Sequence, residues 1–276
     1  MPSPTRYRSF VAVAGILLIF GAGAVSAEPA PPLLPVHDFT LSAGVSYFEY
    51  EEESLDVTIE GPLYGIAADY AFHDPASGWM FGAAAEVDFG STDYDGSFQN
   101  GTPVKEDSDD LILDLRGLAG YDFEPGPDWA LTPFVGLGWR YWYNDVEGPG
   151  SYTREVSYWY LPVGLQVTAR LAGGWRLRLT AEGDVLLAGW VDSELSDVDP
   201  GFNDTTNETD LGDGWGARVS LQLRHGHFLV EPFFHYWDVD ESDTDVLTYY
   251  GSPTGFVVFE PENTTTVYGL RVGFAF

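Results

Sequence analysis

The chain has 276 residues, no cysteine and a formal net charge of −31, with 43 acidic and 12 basic residues. The lack of cysteine excludes disulfides, thiolate metal sites and a cysteine nucleophile. The negative charge makes nucleic acid and anionic surfaces poor partners, and cations or basic peptides better ones. Aromatic residues make up 16% and 32 residues are glycine, a composition typical of barrels with aromatic belts rather than of helical proteins.

The first 27 residues have the three regions of a secretory signal peptide. Arg6 and Arg8 form a basic start, residues 10–24 are apolar, and Val25-Ser26-Ala27 supplies the small residues of a cleavage site. The apolar run is short for a transmembrane helix, which needs about 20 residues. We therefore predict cleavage after Ala27, then a Pro-rich flexible leader at 28–36 and one domain over 37–276. Loss of the two arginines changes the net charge from −31 to −33.

Beyond residue 36 the sequence repeats one pattern, in which about ten residues alternate between apolar and polar or small and then reach a turn or an acidic segment. Such alternation is the period of a β-strand whose two faces differ. In the seventh segment, for example, Trp175 and Leu177 alternate with Arg176 and Arg178. The pattern predicts ten strands, at roughly 38–49, 62–73, 79–90, 109–123, 129–143, 156–171, 174–190, 214–225, 227–238 and 265–276.

The connections between these strands alternate in length. Short turns at 73–78, 124–128, 172–174 and 225–226 alternate with long acidic segments at 50–61, 91–108, 144–155, 191–213 and 239–264. Short periplasmic turns, long outer loops and an even strand count are typical of transmembrane barrels. We therefore predict an all-β fold, an antiparallel up-and-down β-barrel of about ten strands, integral to the outer membrane of a Gram-negative bacterium. The alternative is a soluble β-sandwich, whose strands also alternate.

The last predicted strand ends the chain on an aromatic residue. Tyr268, Leu270, Val272 and Phe274 alternate with small or charged residues up to Phe276. This pattern resembles the C-terminal signature by which outer-membrane barrels are recognised for assembly, and the strand would close the sheet against the first one. The expected partners are outer-membrane lipid, lipopolysaccharide and the barrel-assembly machinery. Nucleic acid is not among them, and a monomer is expected.

Strand faces that carry charge must point into the barrel, because a charge facing lipid near the midplane costs about 2–4 kcal/mol. We therefore place an ion-pair network in the lumen, formed by Arg116, Arg140, Arg170, Arg176, Arg178, Arg218, Arg224, Arg271, Asp69, Glu86, Asp88, Asp114, Asp122, Glu182, Asp184 and Glu231. Only Lys105 and Arg154, among the mature basic residues, are assigned to the loops or rim. Side chains can mostly fill so small a barrel, so a plug is predicted, with a narrow porin-like channel as the alternative.

Aromatic residues near the predicted strand ends should form interfacial belts on the outside of the barrel, because their rings prefer the membrane–water boundary. These residues are Trp129, Trp139, Tyr141, Tyr143, Trp159, Trp175, Trp215 and Tyr236.

Ten strands, five outer loops and this length resemble the omptins, the outer-membrane endopeptidases. Gly189-Trp190-Val191, followed by Asp197-Val198-Asp199, looks like the omptin stretch that leads to a catalytic Asp-x-His, with Asp199 standing in place of the histidine. Asp93-Tyr94-Asp95 resembles the family's Asp-x-Asp, which holds the attacking water. The resemblance implies Asp93, Asp95 and Asp197 as site residues. A general base would then have to come from Asp199 or from His235 on the inward face of the ninth strand.

The acidic loops suggest cation binding only loosely. Asp238, Asp240, Asp243 and Asp245 approach the spacing of calcium ligands but lack the glycine turn and distal glutamate of a calcium loop. We predict no cofactor and no defined metal site, beyond divalent cations loosely bound at the loops. The predicted function is a structural or surface-interaction role without a reaction. The alternatives are an omptin-like endopeptidase and a narrow channel.

Overall fold

The computed structural model describes residues 32–97 and 102–276, and the predicted signal peptide at 1–27 lies outside them. Within these residues the chain forms a closed antiparallel barrel of ten wall strands, which confirms the predicted fold class. The strands are β1 (His37–Glu52), β2 (Val57–His73), β3 (Trp79–Ser97), β4 (Pro103–Tyr121), β5 (Phe123–Gly126), β6 (Trp129–Val146), β7 (Thr153–Arg170), β8 (Trp175–Ser193), β9 (Thr205–Thr209), β10 (Gly214–His225), β11 (Phe228–Val239), β12 (Asp245–Tyr249), β13 (Ser252–Val258) and β14 (Asn263–Ala275).

The wall runs in chain order, and its last strand pairs with its first. Neighbouring wall strands are β1, β2, β3, β4, β6, β7, β8, β10, β11 and β14. β14 pairs with β1 from Thr40↔Ala275 to Glu51↔Thr264, so the membrane wall has no unpaired edge. We call the end at which β1 begins, β14 ends and the short turns lie the lower end. The opposite end, with the long connections, is the upper end.

The outer surface of the barrel is apolar because the strands alternate. On β1, Leu41 and Val45 are exposed outward, whereas Ser42 and Ser46 are buried inside. An exposed apolar band around the whole barrel would be unfavourable in water, and it is the surface that lipid covers in a transmembrane barrel. The predicted belt residues follow this surface, with Trp129, Trp159 and Trp215 all exposed, Trp139 stacked on Tyr141 and Trp215 packed on Tyr236.

The wall strands extend further at the upper end than the sequence pattern indicates. Most of the predicted loops at 50–61 and 91–108 is strand, since β1 and β3 end only at Glu52 and Ser97 while β2 and β4 already begin at Val57 and Pro103. In these extensions the outward face is polar, as at Glu49 and Glu51 of β1, while Tyr50 and Ile59 are buried inside. The outward face is no longer apolar there although backbone pairing continues, which is why the pattern placed the strand ends too low.

A β-bulge changes the facing of residues on β8. Trp159 pairs with Ala188 but Tyr160 pairs with Leu186, so Leu187 is an extra residue in the ladder. Above the bulge Val191 is buried inside the barrel. The uninterrupted alternation predicted for this strand is therefore wrong above Leu187. β9 takes the place of β10 at this level and pairs with residues 189–193.

Other elements are short. Two 3₁₀ helices lie at Ala172–Gly174 and Leu195–Asp197, and β12 and β13 form a hairpin within the last upper connection. Within residues 32–97 and 102–276, no helix is long and apolar enough to cross a membrane.

The end of the predicted leader contacts the lower end of the barrel. Leu33 is buried, and the carbonyl of Pro32 accepts a hydrogen bond from Arg176 at 3.0 Å. The amide of His73 donates to the carbonyl of Val36 at 2.9 Å. β1 then begins at His37.

Candidate functional site

A network of buried charges centred on Arg218 crosses the middle of the lumen. The Arg218 guanidinium donates to Asp114 at 2.6 Å, to Asp184 at 2.8 Å and to the hydroxyl of Tyr160 at 2.9 Å. Tyr160 in turn donates to Asp114 at 2.9 Å. These four residues come from β4, β7, β8 and β10, so side chains tie four wall strands together across the interior.

Two further ion pairs extend this network around the wall. Arg116 donates to both carboxylate oxygens of Glu182, at 3.0 and 3.1 Å. Arg271 of β14 donates to Glu86 of β3 and has Glu231 of β11 at 3.9 Å. A charge removed from water is tolerated only when it is paired and hydrogen-bonded, and these contacts meet that condition.

A third group of charges lies nearer the lower end. Asp38, at the start of β1, accepts hydrogen bonds from Arg178 and Arg224, both at 2.6 Å. The Asp38 side chain is only 1% exposed, so two cations share one buried carboxylate. Asp38 was not among the lumen residues predicted from the sequence, since it stands at the edge of the first predicted strand.

The other predicted lumen residues divide between the interior and the lower rim. Arg140 is buried in the lumen near Asp114, and Asp69 accepts a hydrogen bond from Thr40 at 3.2 Å. Asp88 is a residue of β3, and its carboxyl lies in the lumen beside that of Glu86.

Arg170 and Arg176, in contrast, lie at the lower rim rather than within the lumen. Arg170 pairs with the exposed Asp128 at 3.7 Å, and Arg176 binds the leader. Asp122 is also at this end, 2.6 Å from His73. Arg170, Arg176 and Asp122 stand next to the short turns at the strand ends. Their side chains therefore lie at the lower mouth of the barrel rather than inside it.

A layer of aromatic and aliphatic side chains fills the lumen above the charged network. The Trp142 ring lies 5.4 Å from Phe48 and 4.9 Å from Tyr50, and the Trp237 ring lies 5.2 Å from Tyr160. We call this the aromatic layer. Its buried residues are Phe48, Tyr50, Ile59, Leu63, Ile112, Trp142, Val156, Tyr158, Tyr160, Leu186, Val191, Phe233, Trp237, Val239 and Val267.

The sequence prediction missed most of the aromatic layer because it assigned aromatic residues mainly to the outer belts. The available signal was strand parity. Trp142 stands two residues from the inward Arg140, so the two share a face. A glycine makes room for one of the rings, since a Cβ at Gly138 would come within 2.1 Å of the Tyr160 ring.

A second buried ion cluster lies in the upper part of the barrel around Arg154. Arg154 was assigned to the loops or rim, but it is buried at the start of β7. It donates to Glu52 at 3.0 Å and Glu260 at 3.3 Å, and its guanidinium lies 5.3 Å from the Tyr50 ring and 5.4 Å from that of Trp142. Burial raises the pKa of Glu260 above its ordinary value, which Arg154 opposes and Glu52 reinforces.

Below the aromatic layer the charged groups line a cavity of about 90 Å³. Asp69, Arg178, Glu231 and His235 are among its lining residues. Such a volume has room for a few water molecules. The lumen therefore consists of a small polar cavity among paired charges, with the aromatic layer above it.

The sequence also matches a protein family that has a barrel fold. A family model described as the outer membrane protein beta-barrel domain matches residues 13–187. The chain belongs to this outer-membrane β-barrel family. In such barrels the short turns and both termini are periplasmic, so the lower end of this outer-membrane barrel is its periplasmic end. No curated protein matches the sequence.

Among solved structures, the outer-membrane barrel resembles the outer membrane protease OmpT from Escherichia coli, with a TM-score of 0.60 at 11% identity over 87% of this chain and 96% of that one. It also aligns with a major outer membrane protein from Thermus thermophilus (TM-score 0.39, 13% identity, 87% and 99% covered). A third is Ail, the attachment invasion locus protein of Yersinia pestis (TM-score 0.32, 11% identity, 87% and 98% covered). Such low identities concern the fold alone, and the first confirms the omptin-like architecture.

The outer-membrane barrel does not direct its Asp-x-Asp toward the lumen. Asp93 and Asp95 are exposed on the outer face of β3, whereas the adjacent Thr92 is buried and donates to Asp110 at 2.5 Å. Asp95 pairs with Lys105 at 2.5 Å, with both side chains more than half exposed. This hydrogen bond raises the pKa of Lys105 above its ordinary value.

The remaining omptin-like candidates lie in two different places. Asp197 accepts a weak hydrogen bond from the hydroxyl of Thr153 at 3.3 Å, and Asp199 accepts one from the amide of Gly201 at 2.8 Å. Both lie in the connection above β8. His235 instead lines the lumen cavity below the aromatic layer. The structure brings neither a histidine to Asp199 nor the pair on β3 to Asp197.

The acidic run after β11 does not form a calcium-type loop. Asp243 accepts the amide of Glu208 at 2.6 Å, and Asp245 accepts the amide of Val246 at 2.7 Å. The oxygens of Asp238 and Asp240 instead come within 4.8 Å of Glu262. Carboxylates at this spacing are hard-cation ligands in type, but exposed acidic groups also cluster without an ion.

Proposed function

We propose that the chain is a closed, non-conducting barrel in the outer membrane of a Gram-negative bacterium, which catalyses no reaction and has a structural or surface-interaction role. The observation that carries this proposal is the double closure of the lumen. Paired charges around Arg218 cross its middle, and the aromatic layer fills it above. A barrel that conducted ions would need a continuous water-filled polar path instead.

Energetics favours the closed state of the barrel. An ion crossing the network would have to displace Arg218 from Asp114 and Asp184, and breaking a buried pair costs about 3–5 kcal/mol. It would then enter the aromatic layer and lose its hydration shell, for which apolar rings offer little compensation. Both barriers lie in series along the same axis.

Secretion and assembly complete the proposal. The signal peptide at 1–27 would send the chain across the inner membrane. β14, which pairs with β1 and ends beside Phe276, would be the strand that the barrel-assembly machinery recognises. Lipid and lipopolysaccharide would cover the apolar belt, and the acidic upper loops would bind divalent cations only loosely.

The endopeptidase alternative gains no support from the positions of its candidate residues. Asp93 and Asp95 face outward on β3, while Asp197 and Asp199 stand in the connection between β8 and β9. Attack by water requires a general base within hydrogen-bond reach of it. His235, beneath the aromatic layer, is not placed to serve the upper surface.

Planar-bilayer recordings of the purified, refolded chain test the closure of the lumen. We expect no steady single-channel openings, whereas a porin recorded in the same bilayers conducts continuously. Steady openings of the wild-type chain would overturn the proposal and support the channel alternative.

Incubation with dibasic peptides tests the absence of a reaction. We expect no cleavage products. Cleavage that is abolished by Asp95→Asn, but not by Asp109→Asn on the same outward face of the neighbouring strand, would contradict the non-catalytic assignment.

A further inference from the structure

The β12–β13 hairpin carries exposed apolar side chains on a two-stranded sheet separate from the barrel wall. It lies in the connection between β11 and β14, and its pairing with the rest of the chain is to residues near Phe202 rather than to the wall. Tyr250 is 77% exposed, Phe256 66% and Val257 55%. Large exposed apolar side chains grouped in one element mark an interaction surface more often than isolated ones do.

The hairpin is held in place rather than extended freely. The side-chain oxygen of Asn203 accepts both the amide of Thr248 at 2.5 Å and its hydroxyl at 2.9 Å. The Phe202 ring packs on Tyr249 at 5.1 Å. On the other strand, the side chain of Asn207 donates to the carbonyl of Val258 at 3.0 Å. A surface fixed in this way loses little conformational entropy on binding.

The turn of the hairpin displays a tyrosine at a position that disfavours it. Tyr250 has φ 46° and Gly251 has φ 75°, the two positive values of a type I′ turn. Asn or Asp is the usual first residue of such a turn, because a larger side chain in the left-handed region costs about 1–2 kcal/mol. The turn therefore keeps an exposed aromatic ring where a better turn former was available.

The two upper connections around the hairpin have acidic residues as their only charged side chains. The segment 191–213 contains eight acidic residues and the segment 239–264 contains six, with no lysine or arginine in either. A second copy of this chain and an anionic lipid surface would both be repelled. A cationic partner would be attracted, and its Lys or Arg side chains could also lie over the exposed rings.

The edge of the hairpin is poorly suited to strand addition. Pro253 of β13 has no amide hydrogen to donate, and Gly255 has φ 86° beside a register shift in the ladder. Prolines and bulges are the usual devices that blunt a strand edge. A partner would therefore contact the side chains of the hairpin rather than extend its sheet.

We infer that the β12–β13 hairpin is a docking surface for a cationic protein segment that carries apolar or aromatic side chains. This inference rests on the proposed surface-interaction function and names the surface and the partner's chemistry. The aromatic tip provides the apolar contact, in the manner of the tyrosine-rich centres of protein interfaces. The surrounding carboxylates select the sign of the partner's charge.

Peptide binding to the full refolded chain in nanodiscs of zwitterionic lipid tests the inference. The probes are a labelled peptide of alternating Lys and Phe, a Lys/Ser peptide of equal charge and a Glu/Phe peptide, with empty nanodiscs as background. We expect the Lys/Phe peptide to bind at least about ten-fold more tightly than the other two. Tyr250→Asn and Phe256→Ser should each weaken it at least about five-fold, and Leu55→Ser, at the exposed β1–β2 turn, should not.

Tyr250→Asn also separates contact from folding. Because Asn suits the turn better, the unfolding midpoint should stay the same or rise while peptide binding falls. Equal binding of the Lys/Phe and Lys/Ser peptides, or no effect of the hairpin variants, would overturn the inference. So would preferential binding to anionic vesicles, or association of the chain with itself. If binding fails but bilayers stay silent, only the surface assignment is wrong, whereas steady openings contradict the proposed function itself.

Discussion

Arg218 is the residue on which the charged network depends most. It contacts Asp114, Asp184 and Tyr160, and its side chain is only 5% exposed. Arg218→Met would keep the approximate volume but remove the cation that is hydrogen-bonded to Asp114 and Asp184, leaving Asp114 with Arg116 at 3.5 Å. Since breaking a buried ion pair costs about 3–5 kcal/mol, we expect the free energy of unfolding to fall by that amount, measured by urea titration of the refolded barrel.

Lys105→Met provides the matched control for Arg218→Met. Lys105 and Asp95 form an ion pair at 2.5 Å, but their side chains are 74% and 55% exposed. Exposed pairs contribute about 0–1 kcal/mol, so this variant should unfold close to the wild type. Equal losses in the two variants would show that burial of the Arg218 network is not what makes it stabilising.

At the scale of elements, the alternation of the sequence predicted the strand segments that cross the membrane, because lipid requires an apolar outward face there. Strand β10 has the predicted bounds, 214–225, because the membrane requires one apolar face and the lumen accepts Arg218 and Arg224 on the other. Above the membrane that requirement ends, and the polar top of β1 was read as loop. The Leu187 bulge also escaped prediction, since an extra residue leaves no trace in composition.

The upper connections show the same limit of sequence reasoning. Contacts such as Glu260 with Arg154 link residues 106 positions apart, and no local pattern reports such a distance. The outward orientation of Asp93 and Asp95, in contrast, could have been predicted. Both are an even number of residues from the outward Phe89 on β3 and therefore share its face. A motif match by itself does not show which face of a strand its residues occupy.

The connection between β11 and β14 is held down by the Arg154 cluster. Glu260 sits in that connection, and Arg154 binds it together with Glu52 of β1. Arg154→Met would leave two buried carboxylates facing each other. We expect the connection to detach and to be cut by protease at residues 240–262 much faster than in the wild type, while the wall stays intact on the gel.

The pH dependence of this closure has a defined sign. Burial raises the pKa of Glu260 above its ordinary value of 4.5, so the folded form binds the proton more tightly than the unfolded form. The stability of the closure should therefore rise as the pH falls through that raised pKa towards 4.5. Glu260→Gln mimics the protonated group and should flatten the profile. Faster proteolysis on mild acidification would contradict the assignment.

At the scale of the whole molecule, the lumen is closed by two barriers in series, and each should be sufficient alone. Replacing Trp142 and Trp237 by Leu thins the aromatic layer but leaves the Arg218 network below it. Arg218→Gln with Asp114→Asn and Asp184→Asn removes network charges of both signs, and it leaves Arg116 and Glu182 paired with each other at 3.0 Å. We expect each set of substitutions, by itself, to leave planar bilayers silent.

Combining the two sets should open the barrel to ions, because water could then connect the lumen cavity with the upper mouth. The readout is steady single-channel conductance, and the mobility shift of the folded barrel on unheated gels establishes that each variant has folded. Heat-denatured protein serves as the blank for bilayer leakage. Steady conductance of the tryptophan variant alone would show that the charged network is no barrier. Silence of a folded combined variant would mean that closure depends on other residues of the wall.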